Sequence, residues 1–185
     1  TPRRSVVIAS ELQRNHDAET VETHRRGHAI RLCRDAARRG VEVVVVLGGD
    51  GTLNEAANGL VGSRCALAAL PGGSTNVFAR TLGLSDDPVE ATRTILDTIE
   101  RGGVRRIGLG SVNGRHFLFH TGIGWDARVV REVERHGELK RFASHPLFIW
   151  AGLRTWFVDW DRSTPHFRVH PPGGAEPVDS YFSLV

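Results

Sequence analysis

The sequence has 185 residues, 40% of them hydrophobic and 24% charged, with a formal net charge of +3. That is material for one large domain, or for one complete domain and part of a second, with enough apolar side chains for a core. No apolar run reaches the length of a membrane-spanning helix, and no signal-peptide pattern opens the chain.

The chain opens at Thr1 and contains no methionine, so its natural start is expected upstream. Lys140 is the only lysine, and nearly all the positive charge is therefore arginine. Arginine suits phosphates, acidic headgroups and nucleic acid. Here the charge is scattered and largely balanced by acids, which reads as composition and gives no sign of nucleic-acid recognition beyond the basic pI. Cys33 and Cys65 show no metal or redox spacing and read as small buried residues of a reducing compartment.

In chain order, Thr1-Pro2 reads as a helix cap with Pro at the first helical position. Ser5 to Leu12 fits either helix or strand. Ala18 to Thr23 alternates weakly and is expected as a short strand. Gly27 to Arg39 places Ala29, Ile30, Cys33, Ala36 and Ala37 on one helical face, closed by Gly40. Val41 to Leu47 is a β-branched run suited to a strand covered on both faces. A glycine loop follows, then a helix from about Leu53 to Val61. Ala66 to Leu70 is another apolar strand, broken at Pro71-Gly72-Gly73, with a short helix through Val77 to Leu82. Asp87-Pro88 starts a helix ending near Glu100, stopped by Gly102-Gly103.

Beyond that point the pattern changes. Val104 to Val112 and His116 to Thr121 flank Asn113-Gly114, a strong hairpin signal. A helix is expected over Asp126 to His136 and helical structure over Leu147 to Trp160. His166 to His170 and Val178 to Val185 read as strands about the turn Pro171-Pro172-Gly173-Gly174. The expected fold class is α/β: a layered α/β nucleotide-binding domain over residues 1–102, its first strand missing, then the start of a β-rich second domain over residues 103–185. That second domain stops in mid-strand at Val185 and is read as truncated.

The central motif is Gly48-Gly49-Asp50-Gly51-Thr52, between a buried strand and a helix. In open α/β sheets ligands bind beyond the carboxyl ends of the strands. Glycines there let backbone N–H groups approach an anion, and the following helix adds its positive dipole end. Thr52 can cap that helix or bond a phosphate oxygen. Asp50 repels phosphate unless a magnesium ion lies between them; otherwise it caps the helix of a tight turn. Pro71-Gly72-Gly73-Ser74-Thr75-Asn76 repeats the design, so two loops from successive strands should lie side by side at one sheet edge, joined there by Thr23. Together they could hold a triphosphate. A Walker A loop is excluded, because Lys140 is far from any such glycine run. Gly122-Ile123-Gly124-Trp125-Asp126-Ala127 matches a dinucleotide fingerprint, but its strand reads as a hairpin partner and an NAD-binding reading is a minor alternative.

Leu47 to Glu55, Asn58-Gly59 and Leu70 to Arg80 together resemble the diacylglycerol, sphingosine and ceramide kinase family, with bacterial lipid kinases most similar. The resemblance extends to Thr23 with Gly27-His28-Ala29 and forward through Ile107 to Asp126. NAD kinases share the first loop but not the second. The resemblance implies a nucleotide-binding α/β domain and a β-rich sandwich, with ATP and magnesium between them and the γ-phosphoryl passing to a lipid hydroxyl such as that of diacylglycerol. By position, the nucleotide site is Thr23, Gly48, Gly49, Asp50, Gly51, Thr52, Leu53, Gly73, Ser74 and Asn76. Asp50 is the magnesium ligand, Thr23 lies near the base, and Ser74 stands where the family usually has threonine. Val77 and Gly108 stand where the family often carries Asp. The general base is expected beyond Val185, and the fragment alone is expected to be inactive. The resemblance further implies a cytoplasmic protein peripherally associated with the membrane, with a lipid substrate as partner and a homodimer as the assembly to test. A regulatory nucleotide-binding protein that has lost catalysis is the alternative, favoured by Val77 and Gly108.

One segment is left over. Lys140-Arg141-Phe142, Leu147 to Trp150, Arg154, Trp156, Phe157 and Trp160 combine cations with three of the four tryptophans. Such a segment either docks at a membrane interface or packs in a core. His24, His28 and His116 have no ligand spacing.

Overall fold

The computed structural model describes residues 2–135, 144–161 and 163–184. They separate into two compact units, residues 1–119 and 120–185.

The first unit is built on two parallel strands, β1 (Val43–Gly48) and β2 (Ala66–Pro71), paired from Val43↔Ala66 to Gly48↔Pro71. Alternate side chains point to opposite faces, and both faces are covered. On one face Val45, Ala68 and Leu70 meet Ile8 of α1 (Pro2–Asn15) and Ala91 and Ile95 of α5 (Pro88–Glu100). On the other, Val44, Val46 and Leu67 meet Cys33 of α2 (His28–Arg38) and Ala56 and Leu60 of α3 (Asp50–Leu60). The valine run therefore has the two-sided burial that its composition predicts. Leu70 is fully buried, and truncating it to Ala would cost about 2–5 kcal/mol.

Local signals set the ends of these helices. Gly40, at φ 79°, takes the left-handed turn after α2. The Asp87 carboxylate accepts the Val89 N–H at 2.8 Å and caps α5, which has Pro88 at its first position. The ambiguous run Ser5 to Leu12 is helical, inside α1. The expected cap residue Thr1 lies outside the described residues. Ala18 to Thr23 is not a strand: residues 17–24 have no regular structure, and most of their side chains are exposed. With neither a neighbouring strand to pair with nor a buried face, weak alternation does not make one.

The hairpin forms about the expected turn but is shorter than Val104 to Val112 and His116 to Thr121: only β3 (Gly110–Val112) and β4 (Arg115–Phe117) pair, antiparallel, and residues 103–109 have no regular structure. Asn113 and Gly114 both take positive φ, 51° and 76°, as the tight turn demands. It belongs to the first unit, so the chain divides after Phe119, later than the Gly102-Gly103 at which the sequence sets the boundary. The reason is specific. Asn58 of α3 donates to the His116 carbonyl and accepts the His116 N–H, each at 2.9 Å, and Asn54 accepts the Leu118 N–H at 3.1 Å. Leu118 and Phe119 also pack on Leu53, Ala69 and Phe78.

In the second unit, α6 (Trp125–Arg135) and α7 (Ser144–Arg154) pack through Val129, Val133, Leu147 and Ala151. Glu132, buried between them, accepts from Arg154 and, at 3.2 Å, from Arg135. A π-helical turn, Thr155–Asp159, follows. The strands are short antiparallel pairs: β5 (Gly122–Gly124) with β8 (Phe182–Leu184), and β6 (Phe167–Val169) with β7 (Val178–Ser180). His136 and Lys140 to Phe142, in the expected helix end and basic segment, lie outside the described residues, as does Val185.

Candidate functional site

The two glycine loops meet at the carboxyl end of the β1–β2 pair. The Gly72 N–H donates to the Gly48 carbonyl at 3.1 Å, carrying the pairing one step beyond the strands. There the backbones approach so closely that side chains do not fit. A Cβ on Gly72 would lie 2.8 Å from the Gly48 nitrogen, and one on Gly73 would lie 2.6 Å from the Gly49 Cα. Gly48 carries Thr52 folded over it, the Thr52 Cβ lying 3.0 Å from where a Cβ on Gly48 would stand.

Each loop opens a helix, and side chains fix the second loop and the start of its helix. Asn76, buried and left-handed at φ 49°, accepts the Gly73 N–H at 2.8 Å and donates to the Gly73 carbonyl at 3.1 Å. This double bond to one residue closes the second loop ahead of α4 (Val77–Thr81). Asp50, the first residue of α3, reaches across and accepts the Phe78 N–H at 3.1 Å. It thereby ties the start of α3 to the start of α4.

Several N–H groups are left over. Among them, those of Asp50 and Gly51, at the start of α3, and of Ser74 and Thr75, in the second loop, donate to nothing among the described residues. Gly51, Gly73, Ser74 and Thr75 are exposed. Backbone donors at a helix start beside bare glycine backbone form a cradle for an anion. The observation fits a polyphosphate. Magnesium fits less fully: among the described residues no three His, Cys, Asp or Glu side chains gather as a metal site. A magnesium ion here would be held by Asp50 and by the phosphates themselves, a common arrangement for that ion.

The residues singled out in the sequence divide by role. Gly48, Gly49, Asp50, Gly51, Thr52, Gly73, Ser74 and Asn76 converge on the two loops. The Leu53 side chain does not reach them: it is fully buried against Ala69, Phe78 and Ala79, and its N–H donates to the Gly49 carbonyl at 3.1 Å. It supports the loop from beneath. Thr23 is exposed in an irregular segment and does not end a strand. That segment is instead tied to α3 where the Gly27 N–H donates to Glu55 at 2.8 Å. Glu55, Asn54 and Asn58 are the residues that sequence reasoning leaves without a role. Their Asn-Glu and Asn-Gly pairs stand inside the first motif, but their partners are 28 to 64 residues away along the chain. The fingerprint Gly122 to Ala127 lacks its required setting, because β5 pairs antiparallel with β8. Gly108 has open space where a Cβ would stand, so packing does not impose glycine there.

The family description "Diacylglycerol kinase catalytic domain" matches residues 4–112. The chain belongs to this family. It is 38% identical over 114 residues to the diacylglycerol kinase of Bacillus subtilis strain 168, covering 60% of this chain and 37% of that one. It is 32% identical over 165 residues to a Chromohalobacter salexigens protein named "Probable lipid kinase YegS-like", covering 81% of this chain and 51% of the relative. A crystal structure of a diacylglycerol kinase from Bacillus anthracis superposes with a TM-score of 0.60 at 32% identity, over 70% of this chain and 46% of that one. The chain thus spans about half or less of the length of these family members. The matched region contains both glycine loops and the whole β1–β2 layer.

Proposed function

We propose that the protein binds ATP with magnesium at the two glycine loops and transfers the γ-phosphoryl to the hydroxyl of a lipid such as diacylglycerol. The carrying observation is the pair of interlocked loops whose unengaged N–H groups, those of Gly51, Ser74 and Thr75 among them, lie beside the Asp50 carboxylate. Magnesium, when bound, supplies neutralisation of phosphate charge. The chain's own part is positioning, which with electrostatics supplies most of the catalysis in phosphoryl transfer. Gly49 and Gly73 let the backbone come within reach of phosphate oxygens. The N–H groups of Gly51, Ser74 and Thr75 orient those oxygens. Asp50 would hold the metal through the oxygen not bonded to Phe78.

Work at a membrane surface is supported by a division among the tryptophans. Trp156 packs edge-on against Trp125 with ring centroids 5.9 Å apart, and Trp160 is buried. Trp150 is 45% exposed, beside exposed Ile149 and Leu153 and with the Arg154 guanidinium over its ring. An apolar edge flanked by arginine suits an anionic lipid interface. Among the described residues no helix is long and apolar enough to cross a membrane.

The test is transfer of radiolabelled phosphate from ATP to a panel of lipids in mixed micelles by the purified full-length protein, which includes the region expected to carry the general base. Labelled lipid supports the kinase and names its acceptor. ATP binding without transfer to any lipid would favour a regulatory nucleotide-binding protein.

A further inference from the structure

We infer that the first unit carries a second anion site, remote from the glycine loops, that takes a phosphate monoester. It is an open groove of about 580 Å³ between α2, the end of α3 and the hairpin turn. Arg34 and Arg38 line it from α2, and Arg115 and His116 from the hairpin, while Gly59 and Ser63 form part of its wall. No Asp or Glu lines it. Arg38 pairs with Asp35 at 3.1 Å, but Arg34 and Arg115 have no acidic partner among the described residues. Two arginines from different elements thus line one groove with no carboxylate paired to either. Guanidinium forks match phosphate oxygens bidentately.

The groove is held in shape. Asn58 bonds both the N–H and the carbonyl of His116, so the strand carrying Arg115 is pinned to α3. Opposite, a Cβ on Gly59 would lie 2.5 Å from the Ile30 carbonyl, so α2 and α3 are pressed together with no room for a side chain between them. The place differs from the nucleotide cradle. α3 starts at Asp50 in the first glycine loop and ends at Leu60 beside the groove. At 1.5 Å per residue its two ends are about 15 Å apart, enough for both to be filled at once.

A phosphate monoester reaches such a groove from two sources: the headgroup of phosphatidic acid, or a soluble compound such as glycerol 3-phosphate. The experiment measures binding of the purified protein to both. Vesicles of phosphatidylcholine with and without phosphatidic acid are used in sedimentation, and glycerol 3-phosphate in calorimetry. The double variant Arg34→Gln/Arg115→Gln is compared with Arg105→Gln/Arg106→Gln, which removes the same charge from exposed residues of the same unit. The site predicts binding of at least one probe, weakened about tenfold or more by the first variant, the weight of a charge-assisted hydrogen bond. The second variant should bind as the wild type does. ATP affinity, measured in parallel, should be unchanged in both. Response to vesicles alone assigns the headgroup, and response to both probes assigns the phosphate itself. Equal losses in the two variants would reduce the groove to general basicity and overturn the site, as would failure of both probes to bind. Neither result would bear on the nucleotide cradle, which the parallel ATP titration tests separately.

Discussion

Gly73 lies directly against Gly49: a Cβ on Gly73 would stand 2.6 Å from the Gly49 Cα, closer than Cβ contacts occur in proteins. The neighbour is backbone and cannot swing aside. The two loops therefore form one object, and its shape depends on glycine in both strands' exits.

The first prediction follows from this contact. Gly73→Ala must push the loops apart, at a cost of about 1–3 kcal/mol for overpacking. Urea denaturation should show the loss, and ATP titration should show weakened binding. Gly51→Ala, which meets open space, should retain stability to within about 1 kcal/mol.

Asn76 tests how the second loop is closed. Asn76→Ala strains a left-handed backbone and removes two bonds to Gly73, so a loss of about 2–4 kcal/mol is expected. Asn76→Gly relieves the backbone strain but not the missing bonds, and should fall between Ala and wild type in urea denaturation.

Cys33 gives a pH dependence. Burial, and to a lesser extent the nearby Cys65, pushes its thiol up to about 11 from 9.0. Between those values the unfolded chain loses the proton while the folded chain keeps it. The contribution to stability is therefore flat below about pH 9 and falls as pH rises towards about 11. Subtracting the profile of Cys33→Ala from that of the wild type should isolate this fall. A difference independent of pH over that window would contradict the assignment.

The tryptophans should separate cleanly. Trp156→Ala removes a half-buried edge-to-face partner of Trp125 and should cost about 1–3 kcal/mol of stability. Trp150→Ala should leave stability within about 1 kcal/mol and reduce sedimentation with anionic vesicles. Unchanged vesicle binding would place Trp150 outside any membrane contact.

What was legible in the sequence was local. Val43 to Val46 shows its two-sided burial in its composition, and Asn113-Gly114 shows its turn because only such residues tolerate two successive positive φ values. The glycine loops are visible because close approach permits little else. Ala18 to Thr23 misled because alternation without a partner strand carries no energy. The links from Asn58 to His116 and from Glu55 to Gly27 were hidden for a different reason. Each joins side chain to backbone over dozens of residues, and nothing in the local pattern marks which backbone group an amide or carboxylate will find. The same limit hid the unit boundary, since Asn54 and Asn58 hold the hairpin to the first unit.

Asp50 has two separable duties. Its carboxylate bonds the Phe78 N–H, and it is the acid proposed to meet magnesium. Asp50→Asn keeps an oxygen for Phe78 and loses the charge; Asp50→Ala loses both. The decisive measurement is the rate of phosphate transfer from ATP to diacylglycerol by Asp50→Asn in the full-length protein, alongside its unfolding midpoint. If the charge holds the metal, the midpoint stays close to wild type and the rate falls by about 10²–10³-fold, the weight of one electrostatic contributor in a preorganised site. A wild-type rate in the Asn variant would show that the charge is not used, and would reduce Asp50 to a structural tie between α3 and α4.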